Sequence, residues 1–359
     1  PGQKDPVGRV SSYSIDPRNP QLTLINQVQS LGNEPTHSSV AADGRYLFVA
    51  NYSVLEDPGG SLAILPVDAF RSEATAARIR PLFEAAEALI ADGFHSRTNS
   101  VDHAEVIALK KAGVASRGAT LVVSLEPCAH QGTTPPCTQA IIDAGIAKVI
   151  YAVADPNPLA AGGAQKLIDA GIVVEHHRSA ELEFVQRAWL HKERTGRPLM
   201  VWKVATTLDS KVAASDGTSQ WITGPESRED VQALRAQSDA ILIGTNTALV
   251  DNPHLIPRGH AARPVRIVCG EQVVPPTHRV FDNEARTISV KSKSIPELIK
   301  VLTDEGFNQV LVEAGPTLGS ALMASGKIDE LIVYQAPKML GAGKEFVSHL
   351  GISTLEDHI

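Results

Sequence analysis

Three metal-seeking side chains constrain the fold of this chain more than anything else in it: His103, Cys128 and Cys137. They fall in Asp102-His103-Ala104-Glu105, in Glu126-Pro127-Cys128 and in Thr134-Pro135-Pro136-Cys137. One imidazole and two thiols form a zinc ligand set, and zinc requires them to meet within one coordination sphere. With three protein ligands, the fourth position is left to a water whose pKa the metal lowers toward neutrality. Glu105 is not needed for coordination and can carry a proton from that water to a departing amine. Such a set suffices for hydrolytic deamination of an amino-substituted ring. Taken singly, Glu105 would more often be a solvated helix residue. His130 could make a fourth ligand of a closed, structural site. It is the joint pattern that points to a catalytic zinc.

The 359 residues allow two or three domains, and 43% hydrophobic with 20% charged residues is a globular composition. A net charge of −7 argues against a general nucleic-acid or anionic-membrane surface. No apolar run approaches a bilayer span, and no basic-then-apolar signal opens the chain. Two of the three cysteines are taken by the zinc pattern, leaving Cys269, which reads as a small buried residue. That usage fits a reducing, cytoplasmic compartment.

Residues 1–70 read as β-rich, with alternating segments at 10–15, 46–51 and 61–65 and turns at 43–44 and 58–60. Residues 71–89 have helical spacing at Ile79, Leu82, Phe83 and Ala86. A strand over 87–93 is expected next, followed by a helix 103–112, a strand 120–125, a helix 137–144 and a strand 148–153. A helix 165–170, a strand 172–175 and a helix 182–194 complete the alternation of a three-layer α/β/α domain. The break at Thr195-Gly196-Arg197-Pro198 is a linker signal. Beyond it come strands from Leu199 and over 239–244, with a helix through Arg235 between them, and a loop at 245–253. A final strand, turn and helix start follow at Val310–Gly319. The glycine-bearing turn there exposes N–H groups of the kind that bind phosphate.

The pattern His-x-Glu, then Glu-Pro-Cys, then Pro-Pro-Cys resembles the zinc deaminases. Most of these space their cysteines as Cys-x-x-Cys, whereas here eight residues separate Cys128 from Cys137. This longer loop resembles the deaminase half of the bifunctional riboflavin-biosynthesis deaminase/reductases. These act as diaminohydroxyphosphoribosylaminopyrimidine deaminase and as 5-amino-6-(5-phosphoribosylamino)uracil reductase. The motifs V-W-K-x-A at 201–205, S-x-W-I-T at 219–223, G-T-x-T-x-x-x-D-x-P-x-L at 244–255 and V-E-x-G-P-T-L at 312–318 resemble the reductase half.

The resemblance implies a zinc-deaminase-like domain over 71–195, then a dihydrofolate-reductase-like α/β domain over 197–359 that uses NADPH. It implies that Ala205, Trp221, Thr247, Asp251 and the turn Gly315, Pro316, Thr317, Leu318, Gly319, Ser320 and Ala321 touch the dinucleotide. Ser219, Arg235, Leu255, Arg258 and Glu313 would hold a phosphoribosylaminopyrimidine substrate. Arg235 and Arg258 suit a phosphate, and Glu313 suits hydroxyls or ring amines. A homodimer formed through the reductase domain is also implied.

The chain departs from this family in several places. Residues 1–90 hold no counterpart of its opening P-N-P-x-V-G strand, the basic residue after H-x-G is Thr133, and the L-D-G turn reads Leu208-Asp209-Ser210. Further strands are expected beyond Leu355. Residues 43–52 instead resemble a blade of lactonase-type seven-bladed propellers, a fold that one blade cannot close. His37 and Asn51 read as structural or vestigial there. Two other readings stay open: a reductase with a degraded deaminase half, or a non-catalytic scaffold stapled by zinc with a partner-binding N-terminal segment.

Overall fold

The computed structural model describes residues 9–16, 19–29, 46–50, 89–94, 102–131, 135–158, 160–348 and 350–354. The expected strand at 61–65, the helix at 71–89 and the turns at 43–44 and 58–60 lie outside these residues, as do His37, Asn51 and Thr133. The chain forms two compact units, Thr36–Arg194 and a second made of Pro1–Pro35 with Thr195–Ile359. Three strands open the chain: β1 (Arg9–Asp16), β2 (Asn19–Gln29) and β3 (Tyr46–Ala50).

The first unit continues with β4 (Leu89–Phe94), α1 (Ala104–Ala112), β5 (Thr120–Leu125), α2 (Cys137–Ala144) and β6 (Lys148–Val153). Then come α3 (Gly163–Asp169), β7 (Val173–His176), α4 (Ala180–Val185) and α5 (Arg187–Thr195). The helix expected over 182–194 is thus two helices that meet at Gln186, which is buried and donates through Nε2 to the Ser124 carbonyl. A polar side chain reaching into the sheet replaces a continuous apolar face there. The sheet runs β4-β3-β5-β6-β7, with every neighbouring pair parallel. β3 therefore occupies an internal place, pairing with β4 on one side and β5 on the other. Leu121, Ile141, Val149 and Leu167 are fully buried between sheet and helices. Gly93 on β4 lets α1 approach: a Cβ there would stand 2.2 Å from the Ala104 carbonyl oxygen.

The second unit is built from β8 (Leu199–Thr207), β9 (Lys211–Ala213), α6 (Pro225–Ala236), β10 (Ala240–Gly244), α7 (Thr245–Asp251), β11 (Val265–Cys269) and β12 (Thr287–Val290). It ends with α8 (Ile295–Asp304), β13 (Gln309–Val312), α9 (Pro316–Ala324), β14 (Glu330–Ala336) and β15 (Lys344–Glu345). The segment expected as a loop after β10 is instead the helix α7. Its polar Thr-Asn-Thr opening reads as a turn, yet Ala248 is fully buried and anchors a helical turn. Eight strands align as β12-β11-β10-β13-β8-β14-β1-β2. The first six are parallel, and their apolar runs are buried on both faces, as in Ile241, Leu242, Val310 and Val312. β1 pairs antiparallel with β14 from Arg9↔Gln335 to Ser14↔Glu330, and β2 closes the edge. At the entry to β8, Arg197 grips Asp329 through two bonds of 2.7 and 2.6 Å, and Asp329 accepts the Met200 N–H. Among the described residues no helix is long and apolar enough to cross a membrane.

Candidate functional site

His103 stands immediately before α1, Glu105 in its first turn, Cys128 just after β5, and Cys137 at the first residue of α2. Two helix N-termini thus face one point, and their partial positive charge favours thiolates and carboxylates there. His103 Nδ1 lies 3.1 Å from Cys137 Sγ and 3.6 Å from Cys128 Sγ, and the three donor atoms fall within 4.8 Å of one another. Zinc bond lengths in a tetrahedral site set ligand atoms roughly 3.5 Å apart, so the donor set fits the metal in both chemistry and spacing. His130 is exposed and stands outside this cluster. Glu105 is fully buried beside it.

A hydrogen bond from Cys137, opposed by burial and helped by His103, lowers the Cys128 thiol. The Cys128 thiolate, burial and the charge of Glu105 push Cys137 up. The Cys128 bond also raises His103, against its burial. A divalent cation is the group that would relieve this crowding of anionic donors.

Sequence reasoning did not single out the parts that hold Cys128 in place. Glu126 is buried, and its carboxylate accepts the N–H groups of Asp155 (3.3 Å), Gly162 (3.2 Å) and Ala164 (3.0 Å). Gly163 lies so close that a Cβ would stand 1.7 Å from the Pro127 carbonyl oxygen. Ala160 from the same loop packs against Cys128 and Cys137. The Glu-Pro preceding Cys128 and the paired glycines at 162–163 were the available signal.

In the second unit Ala205 lies near the carboxyl end of β8, Thr247 follows that of β10 and Glu313 that of β13, the end at which open α/β sheets bind ligands. Gly315 precedes α9, and Pro316–Ala321, expected to belong to a turn, are its first helical residues. Trp202 supports it from below: its ring would lie 2.1 Å from a Cβ on Gly319, and its Nε1 donates to the Ala314 carbonyl at 3.3 Å. Thr247 Oγ1 would lie 4.0 Å from a Cβ on Gly315, so the openings of α7 and α9 face each other. Pro316 and Ser320 are buried, while Thr317 and Ala321 are exposed and Leu318 is half-buried.

Arg235 and Glu313 meet directly, at 2.5 Å through Nε and 3.0 Å through Nη2. Lys203 completes a three-residue cluster, its Nζ 3.2 Å from Glu313. Burial would raise the Glu313 carboxyl, but Lys203 and Arg235 outweigh it and hold it at about 2. The guanidinium expected to face phosphate is therefore engaged by Glu313. Arg258 is not part of this pair. Lys203 was missed because only the fold brings β8 beside the end of β13. Leu255 is buried with φ 66°, and Arg258 is exposed, its N–H donating to Gln232. Trp221 is exposed with the Arg228 guanidinium 4.6 Å over its ring. Ser219 and Asp251 are exposed as well, and Ala205 is half-buried on β8. Ser210 has φ 63°, so the family's L-D-G glycine is replaced by a residue strained in that conformation.

The RibD C-terminal domain matches residues 198–358, and the cytidine and deoxycytidylate deaminase zinc-binding region matches 82–153. The seven-bladed lactonase propeller matches 2–81. Riboflavin biosynthesis protein RibD of Mycobacterium tuberculosis (strain ATCC 25618 / H37Rv) is 44% identical over 261 residues, covering 71% of this chain and 76% of the relative. RibD of Escherichia coli (strain K12) is 40% identical over 309 residues, covering 75% and 84%. A solved deaminase/reductase from Thermotoga maritima superimposes with a TM-score of 0.68 at 32% identity, over 74% of this chain and 83% of that one. Acinetobacter baumannii RibD gives 0.68 at 35% identity, over 75% and 83%.

Proposed function

Since the chain belongs to the RibD family of bifunctional riboflavin-biosynthesis deaminase/reductases, we propose a division of labour in which each half holds one complete site. The family's activities are hydrolytic deamination of diaminohydroxyphosphoribosylaminopyrimidine and NADPH-dependent reduction of its ribosyl side chain to ribityl. The observation that carries the reading is the meeting of His103, Cys128 and Cys137 within 4.8 Å beside buried Glu105.

His103, Cys128 and Cys137 would hold zinc, which would supply an activated water. Glu105 takes a proton from the attacking water and gives it to the leaving amine. The ring carbon exchanges its C–N bond for a C–O bond, and ammonia leaves. Glu126 and Gly163 keep the Cys128 loop against the site.

In the second half, Gly315–Ala321 and Thr247 would hold NADPH, with Ala205, Trp221 and Asp251 beside it. Bound there, it would supply hydride to the sugar carbon, whose ring C–O bond opens as the oxygen takes a proton from solvent. Glu313, fixed as a carboxylate by Lys203 and Arg235, receives substrate hydroxyls, while Ser219, Leu255 and Arg258 complete the pocket. Arg235 acts mainly through Glu313, which leaves phosphate to Arg258. We assign 71–195 to the deaminase domain and 197–359 to the reductase domain. A cytoplasmic location and a dimer formed through the reductase complete the reading.

The test uses Glu105→Gln in the full chain. Ammonia release should stop while NADPH oxidation on pre-deaminated substrate continues. Loss of hydride transfer in that variant would show the division to be wrong.

A further inference from the structure

The segment between α7 and β11 holds Leu255 in the left-handed region, at φ 66°, which its side chain does not favour, whereas Asn252 (φ 41°) is the left-handed cap that ends α7. Such outliers persist where surrounding contacts overdetermine them, and they concentrate at binding sites. Two ties run from this loop to the turn before β12. Asn252 Oδ1 accepts the Arg279 N–H at 2.8 Å, and His254 Nε2 lies 2.9 Å from Asp282 Oδ2 and 3.4 Å from Glu284 Oε1.

Asp282 is oriented from behind. The fully buried Arg266 reaches its Oδ1 at 2.9 Å, and the Glu284 N–H donates to the same oxygen at 3.0 Å. That leaves Oδ2 directed at the imidazole. At the far end of the loop, the Arg258 N–H donates to Gln232 on α6 at 3.0 Å, and Gln232 in turn donates to the Arg228 carbonyl. Residues 252–258 are therefore strung between two anchors, with Leu255 and Arg258 between and at them.

We propose that His254, clasped by Asp282 and Glu284, is a positioning residue of the reductase site, a latch that sets Leu255 and Arg258 for the phosphorylated substrate. This rests on the assignment of Leu255 and Arg258 to that substrate. The three donors could also be read as a cation site. Two features oppose this: the 2.9 Å between His254 Nε2 and Asp282 Oδ2 is a hydrogen-bond separation, and Arg266 already places a positive charge on Asp282.

The experiment measures NADPH oxidation by the zinc-loaded full chain on pre-deaminated substrate. His254→Ala should raise KM about tenfold, leave kcat within about twofold and leave NADPH affinity unchanged. His254→Gln, which keeps an N–H donor, should recover most of the loss. Asp282→Asn should follow His254→Ala. The double variant His254→Ala/Arg258→Ala should lose less than the sum of the two single losses, since part of one effect passes through the other. An unchanged KM in His254→Ala, with KM raised by Arg258→Ala, would overturn the latch. Additive losses would do the same, reducing His254 to a general structural part. A second equivalent of bound zinc that disappears in His254→Ala would replace the latch with a metal site. An unchanged KM in Arg258→Ala would instead remove the substrate assignment on which the latch depends.

Discussion

The N-terminal strands enter the two sheets in different ways. β3 is inserted between β4 and β5, so both of its edges are hydrogen-bonded. The β1–β2 hairpin only extends the other sheet beyond β14. An internal strand joins the two parts of a sheet, while an edge hairpin mainly shields one row of backbone groups. The sites differ in the same sense. The zinc ligands lie on loops and helix starts that surround the first sheet, whereas the reductase cluster joins Lys203 on β8 and Arg235 on α6 to Glu313 at the end of β13, and β8 and β13 pair with each other directly.

The largest expected difference comes from deleting residues 1–50. The deaminase half should lose its cooperative transition and its bound zinc, while the reductase half still unfolds cooperatively and binds NADPH. Calorimetry with zinc analysis checks this, and loss of the reductase transition first would reverse the comparison. Two glycines offer a matched, smaller pair. Gly163→Ala drives a Cβ to 1.7 Å from a backbone oxygen and should cost about 4 kcal/mol, with zinc released. Gly319→Ala meets the buried Trp202 ring at 2.1 Å and should cost about 3 kcal/mol, with NADPH affinity lost and zinc retained.

Acid should separate the halves next. Glu313 is held at about 2 in the folded chain against an ordinary value of 4.5. Its folded pKa is depressed, so its contribution is complete above the unfolded value and is lost as pH falls from about 4.5 toward about 2. That contribution is up to roughly 3 kcal/mol. Glu313→Gln should flatten that part of the reductase stability profile, as read by denaturant unfolding. The smallest effect is a gain. Ser210→Gly relieves φ 63° and should stabilise the reductase transition by about 0.5–1 kcal/mol, leaving the deaminase transition where it was.

Much of this was legible where the chemistry is local. β5, α2 and β6 begin and end where periodicity puts them, and the zinc ligands are legible because a metal restricts residue type and order. What was hidden depends on distance along the chain. Lys203 and Glu313 are 110 positions apart and pair only because β8 lies beside β13. For the same reason, Arg235 read as a phosphate ligand when its guanidinium is met by a carboxylate from another element. The polar start of α7 concealed a helix that tertiary packing supplies. The place of β3 was invisible, because an alternating strand carries no record of which neighbours it will choose.

The central claim is that two complete and separate sites share one chain. It is tested most directly by mixing two variants, Glu105→Gln and Glu313→Gln, with NADPH and the undeaminated substrate. Neither alone should form reduced product. Together they should release ammonia and then oxidise NADPH, because one supplies an intact deaminase and the other an intact reductase. A mixture as inactive as either variant alone would contradict the account.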